Sequence, residues 1–239
     1  MLTSCRTVIH DVLKSGMVHR ILVVFLSAGC ISNSLLEGRV MARSLKTYQK
    51  KRDFKITIEP AGIEQYSSSR PKFVIQQHAA RAMHYDVRLE IDGVLVSWAV
   101  PKGPSLNPAV KRLAIMTEDH PMEYRDFEGI IPEGEYGAGP VIIWDRGTYK
   151  NLRDVSMNES LKQGQLEVFL YGKKVRGAFV FIRTAPKSVE KSRWLLIKMR
   201  DDYADARKNP VSSQPESVKT GKTIKDWKKK ITKKENAEA

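Results

Sequence analysis

The sequence predicts a mainly β protein, a closed or nearly closed β-barrel with a few short helices. Three observations carry this. From Lys72 to Met199 the chain is a succession of short runs rich in β-branched and aromatic residues, at regular spacing. Turn residues punctuate the runs, and Asp92-Gly93 is a tight-hairpin signal. The latter half offers one convincing helix, "NESLKQG", and it is short.

Residues 1–40 hold an apolar run, "ILVVFLSAGCIS", after Arg20. It is short for a bilayer span and resembles the core of an export signal. Met41 opens "MARSLKTYQKKRDF", a normal start for a basic soluble protein. We read 1–40 as a disordered leader or upstream extension, and place the protein in the cytoplasm, at the nucleoid, with no membrane association. Residues 41–72 form an N-terminal arm, with a short strand expected in "KRDFKITIEPAG" and a loop at "SSSRPK". The barrel is expected over 73–204. Its strands are "KFVIQQ", "HYDVRLEI", "VLVSWAV", "KRLAIMTE", "PVIIWDRG", "QLEVFLYG", "VRGAFVFIRT" and "SRWLLIKM". From residue 205 the apolar pattern fades into Lys-rich sequence, read as a flexible basic tail that grips phosphates electrostatically. Within it "TIKDWKKKI" carries a brief helical pattern.

The chain has 239 residues and a formal net charge of +14, which points to a polyanionic partner, most often nucleic acid. Its two cysteines, Cys5 and Cys30, both precede the barrel. The barrel therefore has no disulfide framework and no thiolate metal site, and any metal must be held by His and carboxylate.

"QQHAARAMHYDVRLE" (76–90) is the densest stretch. Period two puts His84, Asp86, Arg88 and Glu90 on one face of a strand, opposite Tyr85, Val87, Leu89 and Ile91. The second set reads as core. Same-face neighbours lie about 6.5–7 Å apart at Cα, so two such side chains can converge on one ion. Imidazole and carboxylate suit Mn²⁺ or Zn²⁺, and Arg88 could fork onto an anion bound there. "AARAM" favours a helical turn that would fold His78 back over the strand. The plain alternative is a surface His in an exposed salt bridge. A second dense stretch, "TEDHPMEYRDFEGIIPEGEYGAGPV" (117–141), places His120 and Tyr124 at a strand exit, where both can meet a phosphate. Lys102 stands in the stiff loop "VPKGPS".

The run from "FVIQQHAARAMHYDVRLEIDGVLVSWAVPKGPS" through "KRLAIMTEDHPMEYRDFEGIIPEGEYGAGPVIIWDRGTY" resembles the 3′-phosphoesterase domain of bacterial DNA ligase D and its stand-alone relatives. The likeness is dense over 73–150, looser from Arg52 to about residue 199, and absent from 1–40 and the tail. It implies Mn²⁺ on His78, His84 and Asp86. It implies a scissile phosphate against Arg88, His120 and Tyr124, with Lys102 and Arg112 as further basic groups. Arg52, Asp53 and Glu59 match positions that support action on ribonucleotide ends. The implied activity removes a 3′-terminal ribonucleotide and then the 3′-phosphate, leaving a 3′-OH. The implied substrates are DNA or RNA–DNA primer-template ends. With no ligase or polymerase module, the chain is expected to be a stand-alone monomer working beside separately encoded ligase and polymerase.

Two other readings compete. One is a non-catalytic nucleic-acid-binding barrel with a structural metal. The other is an iron oxygenase using His84, Asp86 and His120, which leaves His78 and Arg88 without a role.

Overall fold

The computed structural model describes residues 43–62, 69–184 and 192–238. The expected leader, Met41 and both cysteines lie outside the described residues. All strand pairings are antiparallel. In sequence order the strands are β1 (Lys72–Ala79), β2 (Met83–Ile91), β3 (Val94–Val100), β4 (Lys111–Met116), β5 (Gly129–Ile131), β6 (Gly139–Asn151), β7 (Gln165–Tyr171), β8 (Arg176–Arg183) and β9 (Arg193–Lys198). Their spatial order is β1-β2-β3-β4-β9-β8-β7-β6, with β6 pairing back onto β1 and β5 added beside β6. Eight strands thus close a barrel, and each corresponds to one of the eight runs expected from sequence.

Strand β6 makes closure possible. It pairs with β5 at its start, β1 along its middle and β7 at its end. The register with β1 shifts between Ile75 and Gln76, a bulge that bends the strand around the barrel. The three-residue β5 is too short to leave a periodic signal. In the β2–β3 hairpin, Asp92 and Gly93 both have positive φ, as a two-residue turn of the right twist requires.

Alternation divides the sheet faces. Ile75, Val87, Leu89, Val96, Trp98, Trp144, Phe179, Phe181 and Trp194 fill the barrel interior. On the opposite face of β1, β3 and β6, a second cluster gathers Val74, Leu95, Val141 and Ile143 under the arm and the 3₁₀ turn Met122–Asp126. Helix α1 (Lys46–Lys50) contributes Tyr48, fully buried, whose hydroxyl donates to Pro60 O at 2.6 Å. The short strand expected in "KRDFKITIEPAG", ending at Pro60, does not form. Asp53 O accepts from the amides of Ile56 and Thr57, making a turn. Beyond it Thr57 and Glu59 are buried while Ile56 and Ile58 are exposed, because the arm's inner side meets Arg52 and not the apolar core.

Helix α2 (Met157–Gln163) starts at Ser156, whose hydroxyl accepts from the Glu159 amide, and stops at Gly164 in the left-handed conformation.

The C-terminal segment corrects the expectation of a flexible tail. Asp205 N donates to Leu106 O, and Val211 packs against the interior cluster. Gln214 O accepts from Trp144 Nε1 at 2.7 Å, and Val218 N donates to Ile143 O at 2.9 Å. Val211 lies in helix α3 (Pro210–Ser213), and helix α4 (Ile224–Glu238) lays Ile224 and Trp227 on Ala79 and Ile142. A few apolar anchors among many lysines suffice, because hydrogen bonds add to them: two between backbones, and others through the side chains of Trp144, Lys174, Ser217, Lys219 and Thr220. No helix among the described residues is long and apolar enough to cross a membrane.

Ile224→Ala should therefore cost about 2–4 kcal/mol, read as a lower denaturation midpoint. Removing residues 205–239 should lower it further. A truncated protein that melts like the full chain would make the segment a passenger.

Candidate metal centre and phosphate cleft

Strands β1 and β2 form a hairpin in which His78 pairs opposite His84 and Gln76 opposite Asp86. This register, not a helical turn, brings His78 to the cluster. Residues 80–82 are a simple bend. The ligand atoms of His78, His84 and Asp86 lie within 4.8 Å of one another. His78 Nδ1 is 3.6 Å from Asp86 Oδ2, and His84 Nε2 is 3.6 Å from Asp86 Oδ1. These separations are long for direct hydrogen bonds. They are close to the roughly 3.4 Å between ligand atoms around an ion bonded at about 2.1 Å.

The backbone aims both imidazoles. His78 Nε2 is 2.7 Å from Gly137 O, and His84 Nδ1 is 2.9 Å from Ala82 O. A carbonyl only accepts, so each of these nitrogens carries the proton. The lone pairs are left on His78 Nδ1 and His84 Nε2, the atoms facing Asp86. The donor set and its outer hydrogen bonds fit a divalent metal. Gly137 O is presented by a glycine-rich turn that runs into Gly139. A Cβ at Gly139 would fall 2.2 Å from Ala79 O, so the approach of this turn to β1 requires glycine.

Burial alone would raise the Asp86 carboxyl. The Arg88 guanidinium and the two imidazoles outweigh it and hold Asp86 well below the usual carboxylate range. Burial pulls His84 down, but the Asp86 carboxylate more than compensates and its pKa is raised.

Arg88 is fixed on three sides. Its Nε donates to Gln76 Oε1 at 2.7 Å, and its terminal nitrogens donate to Ser97 Oγ at 2.9 Å and Asp86 Oδ2 at 3.0 Å. Gln76 is itself held by the carbonyls of Tyr124 and Phe127. Two guanidinium protons remain for a ligand. Arg52 stacks 3.9 Å over Tyr48, donates to Glu59 at 2.9 Å and reaches Glu118 at 3.4 Å.

Between the two arginines sits His120, buried on the loop after β4. Its Nδ1 donates to Glu118 O at 2.9 Å, and Arg52 faces its Nε2 at 3.4 Å. Burial, then Arg88 and Arg52, push its pKa well below 6.5, so the ring is neutral with its lone pair on Nε2. Burial, reinforced by Glu59, raises the Tyr124 phenol well above 10.

A cleft of about 740 Å³ joins these groups, lined by Arg52, His78, His84, Asp86, Arg88, His120 and Tyr124 among others. Other expected site residues stand apart. Glu59 has no exposed side-chain surface and pairs with Arg52. Asp53 is exposed outside the cleft, and its carboxylate accepts from the Lys55 amide. Lys102 is exposed in the loop after β3 and does not line the cleft. Arg112 pairs with Leu196 and shares its strand face with Ala114, towards the interior. It lies five residues from Thr117, about 16 Å by strand rise. His120 is not in the donor triad, so the set His84, Asp86 and His120 does not assemble. Gln76, Ser97, Glu118 and the carbonyls of Ala82 and Gly137 went unrecognised in the sequence. Gln76 alone carried a signal, since period two puts it on the face of His78.

Fold and site together define a β-barrel with a His-His-Asp cluster that could hold a metal ion, beside a cleft lined by arginines. Residues 76–183 match the family model described as DNA Ligase D 3′-phosphoesterase domain, and through its barrel the chain belongs to that family. It is 46% identical over 187 residues to the "Multifunctional non-homologous end joining protein LigD" of Pseudomonas aeruginosa, covering 77% of this chain and 22% of that one. A protein of the same name from Mycolicibacterium smegmatis is 45% identical over 166 residues, covering 67% and 21%. The "Multifunctional non-homologous end joining DNA repair protein LigD" of Mycobacterium tuberculosis is 46% identical over 162 residues, covering 67% and 20%. The chain spans about a fifth of the length of these relatives.

In an NMR pH titration His120 should show no protonation step near 6.5, the ordinary value for a histidine. Its step should come at lower pH. Arg52→Gln removes one neighbouring cation and should move that step upward. A His120 that titrates like a free histidine would contradict the electrostatics of the cleft.

Proposed function

We propose that the cleft is the active site of a metal-dependent phosphoesterase acting on nucleic-acid 3′ ends. The observation that carries it is the donor triad opening beside Arg88 and His120, in a barrel of the 3′-phosphoesterase family. His78, His84 and Asp86 would hold the metal, with Mn²⁺ the preferred ion. The metal supplies Lewis-acid neutralisation of charge on the phosphate oxygens.

The chain's own groups do the rest. The two free Arg88 protons bind non-bridging oxygens and strengthen their hold as charge builds. Gln76, Ser97 and Asp86 keep that guanidinium from following the ligand. His120 Nε2 is the atom that can hold or move a proton. With no ligand bound it is an acceptor. A bound phosphate, diester or monoester, offsets the guanidinium charge and lets it take a proton from solvent. As water adds to phosphorus and the P–O bond to the leaving group breaks, it can give that proton to the departing oxygen while the water's proton passes to solvent. Tyr124 stays a neutral phenol against Arg88 and forms part of the wall. Lys102 and Asp53, outside the cleft, are left for contacts with a longer substrate.

The substrates we propose are DNA or RNA–DNA primer-templates. The enzyme would remove a 3′-terminal ribonucleotide and then the 3′-phosphate. The relatives' names connect this to non-homologous end joining, with a ligase and a polymerase using the healed end in the cytoplasm.

The test is a labelled primer-template carrying one 3′ ribonucleotide, followed for both products with and without Mn²⁺. Absence of both products with every divalent metal offered would sink the reading. Alanine at His78, His84 or Asp86 should lower both activities roughly 100-fold or more and abolish Mn²⁺ uptake measured by calorimetry. Glu59→Gln should impair both substrates alike, because Glu59 acts through Arg52 and Tyr124. A loss confined to the ribonucleotide end would instead restore Glu59 as a ribose contact.

A further inference from the structure

Past Tyr136 a second cleft opens. Ala99, Thr117, Glu118 and Tyr136 line both it and the first, so the two adjoin. The second holds about 850 Å³. Its walls carry the cations Arg43, Lys51, Lys162 and Arg183 against the carboxylates Glu118 and Asp119. Both carboxylates are already paired, Asp119 with Arg43 at 2.7 Å and Glu118 with Lys51 at 3.1 Å. Lys162 keeps 60% of its side chain exposed despite a loose pair with Glu159. Arg183 donates to Lys162 O at 2.9 Å and lies 5.5 Å over the Trp194 ring, which holds it at the end of α2. Ser192 Oγ and Trp194 Nε1 are buried there with no hydrogen-bond partner among the described residues.

Tyr136 stands at the junction. It is 49% exposed, with Lys51 Nζ 4.5 Å from its ring centroid. An exposed ring backed by a cation, between a phosphate cleft and a basic cleft, is what a base stacked next to its own phosphates requires.

We propose that the second cleft binds the unpaired terminal stretch of the primer strand whose 3′ end lies at the donor triad, with one base stacked on Tyr136 and upstream phosphates on Lys162 and Arg183. This rests on the phosphoesterase reading for which end of the strand lies where. The groove is sequence-tolerant, since every base has a stacking face and phosphates are common to all strands. Its hold weakens as salt rises.

The test uses the full chain and a fluorescein-labelled DNA strand of about twelve nucleotides, a length within the range single-strand grooves hold. Anisotropy is read without added metal, so that no turnover intervenes. Tyr136→Ala should raise the dissociation constant about tenfold, the effect of losing one stacked base. Lys162→Glu should weaken binding and reduce the salt slope by about one. Both positions are surface-exposed, and a thermal melt confirms each variant is folded. Lys208→Glu makes the same charge change outside both clefts and should have a much smaller effect. The proposal is overturned if both groove variants bind as tightly as the parent, or if Lys208→Glu weakens binding as much as they do. A parent that releases no phosphate, yet shows these losses, removes the phosphoesterase reading and keeps the groove.

Discussion

The burial of the Arg88 guanidinium is the constraint on which the rest of the site depends. Only 3% of its side chain is exposed. A buried cation costs several kcal/mol unless a counter-charge and further hydrogen bonds meet it. Here Asp86 lies two residues away on the same strand, Ser97 directly across on β3, and Gln76 on β1 opposite Asp86. Asp86 comes with the alternation of β2 itself, while Ser97 and Gln76 are delivered by strand register. A slip of β2 by one residue would carry Asp86 along with Arg88 but turn both away from Ser97 and Gln76, leaving the cation with one of its three partners in a dry environment. The same register puts Val87, Leu89 and Trp98 into the barrel. Core and site therefore specify one alignment, and neither can be satisfied without the other.

Arg52 repeats the solution with chain from outside the barrel. Its carboxylate is Glu59, seven residues on, and the turn at Asp53 reverses the chain between them. Thr57 Oγ1 donates to the second carboxylate oxygen at 3.0 Å. The arm is thus a loop closed on an ion pair and pressed against the second apolar cluster by Tyr48. This explains why its apolar residues Ile56 and Ile58 face outward. The inward positions are reserved for the group that neutralises Arg52.

What could be read from the sequence follows from these two cases. Alternation is a local signal, so eight strands and the His84–Asp86–Arg88 face were legible. Partners across the sheet were not, because Ser97 looks like any strand serine until β3 is laid against β2. "AARAM" misled for a related reason. Helix propensity is a weak prior, and the pairing of β1 with β2 over seven residue pairs overrides it. The C-terminal segment was hidden by averaging. Ile224, Trp227 and Pro210 are few among lysines, and the bond from Val218 N to Ile143 O has no composition signature at all. Arg112 was carried into the site by resemblance alone, and strand parity sets it on the opposite face of β4.

Charge balance links the two ligands of the proposed site. Lys51, Arg52 and Arg88 face Glu59, Asp86 and Glu118, while His120 is held neutral by burial and the two guanidiniums. These side chains together are therefore close to electrically neutral. A terminal phosphate monoester entering alone would bring two uncompensated negative charges into a partly dry cavity, and a diester one. A divalent cation entering alone would leave two positive ones. Together they restore the balance that the side chains already have. Each thus lowers the free energy of binding the other, and by linkage the coupling is the same seen from either side. On this reading the arginines are not present in excess to attract phosphate. They are matched to fixed carboxylates, and the selectivity of the cleft lies in requiring a metal and a phosphate at once.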